Sequence, residues 1–210
     1  MSRIYDITPP VSPRIAVWPG DVPFRQDFTC RMAEGAHLEL SSVTTTVHVG
    51  AHTDAPSHYR LGGAGISERP LEVYLGPCEV IWVDVPRGAR VLPAHLPAVV
   101  RAPRVLLRTG TFPDPDRWNE DFAALSPELV HALAAQGVRL VGIDTPSVDP
   151  MTSKALEAHN AVADHDMAVL EGVVLDAVPP GLYTLVALPL RIEGADASPV
   201  RAVLVAGWPA

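Results

Sequence analysis

The sequence predicts an α/β fold: a mixed β-sheet with a barrel-like core and flanking helices, forming a single domain over residues 1–210. Three observations predict it. Apolar, β-rich runs at Arg104–Arg108 and Val138–Asp144 enclose one well-capped helix, as in a crossover between neighbouring buried strands. Strand-like runs outnumber helical ones. The 22 prolines and 15 glycines are scattered along the whole chain, so they punctuate many short elements and mark no linker.

The elements follow in chain order. Val43–Val47 is β-branched and enters as a strand. Cys78–Pro86 and Arg104–Arg108 read as further strands. Ser126–Gly137 is the clearest helix, with Ser126 as N-cap, Pro127 in the first turn and Gly137 past the end. A strand over Val138–Asp144 and a helix over Ser153–Asp164 come next. Two strands, Leu182–Leu190 and Ala202–Trp208, close the chain.

Apolar residues make up 48% and charged residues 19% of the chain, a balance that supports a folded core and argues against wholesale disorder. A net charge of −8 argues against a nucleic-acid partner, which would require a basic face. No stretch approaches the roughly 20 apolar residues of a membrane span, and the N-terminus lacks the apolar segment of a secretory signal. The expected compartment is the cytoplasm. Cys30 and Cys78 lack CxxC spacing and read as free thiols with no assigned role.

The informative segment is Ser41–Tyr59, which packs His48, His52, Asp54 and His58 into eleven residues. All four are metal-compatible or acid/base side chains. A continuous helix would bring His48 and His52 together, but Gly50 and Pro56 oppose one. On a strand, residues 48, 50, 52 and 54 share one face. A straight strand at about 3.3 Å per residue would nevertheless hold His48 and Asp54 roughly 20 Å apart, whereas metal–ligand bonds are only about 2.0–2.2 Å long. Metal binding therefore requires a sharp bend, which Gly50 and Pro56 permit. By contrast, each of His37, His95, His131 and His165 reads as structural.

The run from His48 to His58 resembles the HxGTHxDxPxH signature of the cyclase family of metal-dependent hydrolases, with Ala51 in place of the usual threonine. Residues 5–21 (YDITPPVSPRIAVWPGD), 144–159 (DTPSVDPMTSKALEAH), 170–176 (LEGVVLD) and 188–204 (LPLRIEGADASPVRAVL) are similar to those of the bacterial kynurenine formamidases within it. That resemblance implies a swivelling β/β/α fold and a homodimer. It also implies two divalent metal ions, usually zinc, with His48, His52 and Asp54 on one, His159 on the second, and Asp54 and Glu171 bridging the pair. Without the resemblance, His159 and Glu171 read as surface polar residues, and Glu157, Asp164, His165 and Asp166 lie close enough to compete with them.

The activity implied is hydrolysis of an aromatic formamide, N-formyl-L-kynurenine, to L-kynurenine and formate. His58 would be the general acid/base and Trp18 a contact to the aromatic ring. Two metals lower the pKa of a bound water and polarise the carbonyl, so neither a serine nor a cysteine nucleophile is required. No GxSxG elbow is present in the sequence. Opening of isatin or another cyclic amide or ester by the same motif is the alternative within enzymes. A non-catalytic metal-binding protein is the alternative outside them, although it would have no need of His58.

Overall fold

A computed structural model describes residues 3–207. The strands are β1 (Arg3–Asp6), β2 (Arg25–Cys30), β3 (Leu40–Thr44), β4 (His52–Asp54), β5 (Leu75–Trp82), β6 (Arg90–Val91) and β7 (Arg104–Arg108). They continue with β8 (Ala124–Leu125), β9 (Leu140–Ile143), β10 (Ala168–Leu170), β11 (Gly181–Val186), β12 (Ala197–Pro199) and β13 (Val203–Ala206). The α-helices are α1 (Pro56–Tyr59), α2 (Pro127–Ala135) and α3 (Glu157–Asp164).

Seven strands form one mixed sheet in the order β1-β13-β11-β5-β7-β9-β10. Its first half is antiparallel, while β5, β7, β9 and β10 run parallel. The expected crossover is present: β7 and β9 pair in parallel on either side of α2. Alternate residues of the central strands enter opposite cores. Val105, Leu107, Val141 and Ile143 pack with α2 and α3, whereas Leu106 and Leu140 pack with Val80, Leu170, Leu185 and Leu204 on the other face. Two apolar faces explain why these strands read as continuous hydrophobic runs.

Most expected elements are present with shifted ends. Ser126 caps α2, its Oγ accepting a hydrogen bond from Leu129 N at 3.1 Å, and Gly137 beyond the helix has φ +83°. The third helix departs from expectation, starting at Glu157 and not at Ser153. Leu156 adopts a left-handed conformation (φ 48°), and the first helical amides instead donate to the carboxylate of Asp149. The predicted 202–208 strand is observed over Val203–Ala206, and Trp208 lies outside the described residues. Among the described residues, no helix is long and apolar enough to cross a membrane.

Among the described residues, the β2–β3 hairpin forms a two-stranded sheet of its own. Almost all its strand residues are exposed, including Phe28, Leu40 and Val43.

Candidate metal centre and cavity

The sharp bend required at residues 48–54 is formed at Gly50, whose φ is +58°. The chain then runs through the buried strand β4, where residues 52–54 pair antiparallel with 197–199 of β12. Pro56 opens the short helix α1, which turns His58 back toward the strand. A backbone bridge brings Glu171 to the same place: His52 N donates to Glu171 O (3.1 Å) and Glu171 N to His52 O (2.9 Å). Gly172 makes that approach possible, because a Cβ there would come within 2.2 Å of the Gly50 carbonyl oxygen. Helix α3 supplies His159, buried among these residues.

Asp54 lies at the centre. Its Oδ1 is 2.9 Å from His48 Nδ1 and 3.6 Å from His52 Nε2, while Oδ2 is 3.4 Å from His159 Nε2 and 3.9 Å from His58 Nε2. Glu171 is divided in the same way, with Oε2 3.2 Å from His52 Nε2 and Oε1 3.4 Å from His159 Nε2. Each carboxylate therefore presents one oxygen toward His52 and the other toward His159. The donor atoms of His52, Asp54 and Glu171 converge closely enough to hold an ion, and so do those of His48, Asp54 and His58.

The donor set fits divalent cations. His52 Nδ1 is 2.9 Å from the Gly50 carbonyl and His159 Nδ1 is 2.8 Å from Asp149 Oδ2. In the neutral tautomer set by those acceptors, each Nε2 directs a lone pair at carboxylate oxygens, an arrangement that a shared cation satisfies. His159 Nε2 and Asp54 Oδ1 are both buried without a hydrogen-bond partner, since the 2.9 Å approach of His48 is poorly aligned. Buried polar atoms left unpaired in this way are rare and point to an absent partner.

The charge balance agrees. Burial opposes the charged form of His48, yet the Asp54 and Asp196 carboxylates raise its pKa to about 9. Burial likewise opposes protonation of His52 and His159, and neighbouring carboxylates lift both above the usual imidazole range. Asp54 is held well below the carboxylate range despite its burial, by His159 and His48. The buried carboxylates thus require positive charge among them.

Two residues at this centre escaped the sequence reading. Asp196 Oδ2 lies 3.0 Å from His48 Nε2 and 3.1 Å from His58 Nδ1, brought there by the loop before β12. Asp149 binds His159 from behind. Both fall within runs that carried the family resemblance, but no local spacing joins them to the histidines. The four competitors lie elsewhere: Glu157 pairs with Arg90, Asp164 with Arg60, Asp166 with Arg69, and His165 with His131. Both cysteines are free.

A cavity of about 510 Å³ opens onto these residues. Trp18, Phe112 and Trp118 line it, and Asp21 lies on its wall. Trp18 meets Trp118 edge-to-face with centroids 5.3 Å apart and Phe122 at 6.3 Å, so it both packs and faces the cavity. The loop carrying Phe112 and Trp118 is anchored by Asp144, which accepts hydrogen bonds from Thr109 N (2.9 Å) and Gly110 N (2.7 Å).

A family model, Cyclase, matches residues 5–150. Similar solved structures include a potential metal-dependent hydrolase with cyclase activity, at 27% identity and TM-score 0.84 over 100% of both chains. A predicted metal-dependent hydrolase from Bacillus stearothermophilus is 26% identical, with TM-score 0.81 over 98% of both chains. Isatin hydrolase A from Labrenzia aggregata, bound to benzyl benzoate, shares the fold at 23% identity and TM-score 0.81, covering 99% of this chain and 94% of that one.

Proposed function

The chain belongs to the cyclase family, and from that premise we propose that it is a metal-dependent amide hydrolase that cleaves N-formyl-L-kynurenine to L-kynurenine and formate. The observation that carries the metal reading is the division of Asp54 and Glu171, each with one oxygen toward His52 and one toward His159. In this reading His48, His52 and Asp54 would hold one ion and His159 the other, with Asp54 and Glu171 shared between the two. The ions, zinc by family resemblance, would supply an activated water and polarise the substrate carbonyl.

The chain's own groups do the rest. His58 Nδ1–H donates to Asp196, leaving Nε2 directed toward Asp54 and free to act as a base. It takes a proton from the attacking water and returns it to the aryl nitrogen as the C–N bond breaks, releasing formate and the free amine. Trp18, Phe112 and Trp118 hold the aromatic ring. Asp21 on the cavity wall offers a partner to the substrate's ammonium group, a feature isatin lacks, and this favours the linear amide.

Turnover of N-formyl-L-kynurenine beside isatin, with metal content measured on the same preparation, tests the reading. Formation of kynurenine by the metal-loaded chain, lost on chelation, is expected. Turnover of isatin alone would transfer the function to the cyclic amide. A homodimer belongs to the same proposal and is supported by the hairpin's exposed apolar residues, which a second copy would cover; mass in solution checks it.

Trp18→Ala is expected to raise KM more than it lowers kcat, because a ring contact remote from the carbonyl provides mainly uniform binding. Steady-state kinetics with an unfolding curve check this. Equal loss in both constants, or a collapsed fold, would make Trp18 a packing residue only.

A further inference from the structure

Asp149 occupies an unusual position for a carboxylate. It is buried, lies outside the cavity and takes no part in either ion-holding group, yet it contacts the ring of His159. Its Oδ2 accepts from His159 Nδ1 at 2.8 Å and from His159 N at 3.0 Å; its Oδ1 accepts from Ala158 N at 3.0 Å and Arg90 Nη1 at 3.3 Å. Four donors fill both oxygens, so the carboxylate is held from the helix on one side and by the guanidinium on the other.

We propose that Asp149, clamped by Arg90, is the positioning residue that orients His159 for the second metal ion. The proposal rests on the two-metal reading above. A proton on Nδ1 places the lone pair on Nε2, the buried atom without a partner that faces Asp54 and Glu171. The same carboxylate starts helix α3, since the amides of Ala158 and His159 donate to it where the preceding turn is left-handed. One side chain therefore sets where the helix begins, how the ring is rotated and which nitrogen is free. Removing such a partner from a ligating histidine weakens metal binding by about 10- to 100-fold.

The test is zinc titration of the metal-free full-length chain in competition with a chromophoric chelator, comparing wild type with Asp149→Asn. Asparagine keeps the size and one acceptor but loses the charge and the second acceptor. The expected result is a first equivalent of wild-type affinity and a second weakened about 10- to 100-fold, with His159→Ala lacking the second altogether. A purely helix-capping role would lower thermal stability and leave the second equivalent unchanged. That result overturns the proposal, as does equal weakening of both equivalents. Should Asp149→Asn fail to fold, Arg90→Gln carries the test: it removes one contact to Asp149, and should weaken the second equivalent in the same direction but by less. An unchanged second equivalent there overturns the proposal too. A wild-type chain that takes up no second zinc overturns the two-metal reading itself, so the two failures are distinguishable.

Discussion

His58→Ala is expected to keep close to the wild-type metal complement while losing about 10²–10⁴-fold in turnover, the usual contribution of a positioned general acid/base. The structure makes this test sharper than spacing alone could. His58 is exposed on the short helix α1, and its Nε2 stands 3.9 Å from Asp54 Oδ2, the longest of the imidazole approaches to that carboxylate. Its other nitrogen is engaged by Asp196. Yet His58 also converges with His48 and Asp54 closely enough to share an ion. Elemental analysis of the untagged variant, set beside its kcat, separates the two roles. Loss of a metal from His58→Ala that His52→Ala retains would make His58 a ligand and refute its assignment as the base.

Asp54→Ala should have the larger effect on metal content. Because one oxygen of Asp54 faces His48 and His52 and the other faces His159 and His58, its removal takes a donor from both halves of the centre. The variant should retain less metal than His159→Ala, which removes a ligand from one half only, and its activity should match that of the chelated wild-type chain. Metal content by mass spectrometry and hydrolysis before and after chelation give the comparison. Full activity in excess chelator, with metal shown to be removed, would end the metal-dependent reading.

Replacing these side chains also exposes how unequally the site could be read from sequence. His48, His52, Asp54 and His58 lie within eleven residues, so the bend at Gly50 and the turn at Pro56 could be inferred from local stereochemistry. His159 and Glu171 could be proposed only by resemblance. Glu171 reaches His52 through a two-way backbone bridge between distant segments, and no periodicity encodes such a pairing. Helix α3 begins at Glu157 and not at the expected Ser153 for a related reason. The amides of Ala158 and His159 in its first turn find their acceptor in Asp149, farther back along the chain, while Ser153 accepts from Leu156 N ahead of the helix.

What the sequence by itself determined was local: the strand runs with apolar residues on both faces, the Ser126 cap and Gly137 stop of α2, and four ligand-type side chains crowded around two chain breakers. These follow from propensities and sterics acting over a few residues. Only the tertiary structure decided which carboxylates stand behind the imidazoles. Asp149 and Asp196 contact the site through hydrogen bonds that close loops of 10 and 138 residues to His159 and His58, respectively. It likewise decided that Glu171, and not its acidic neighbours, faces the centre. Burial is the physical reason: a charged side chain is tolerated in the interior only opposite compensating groups, and which groups meet there depends on the order in which the strands pack.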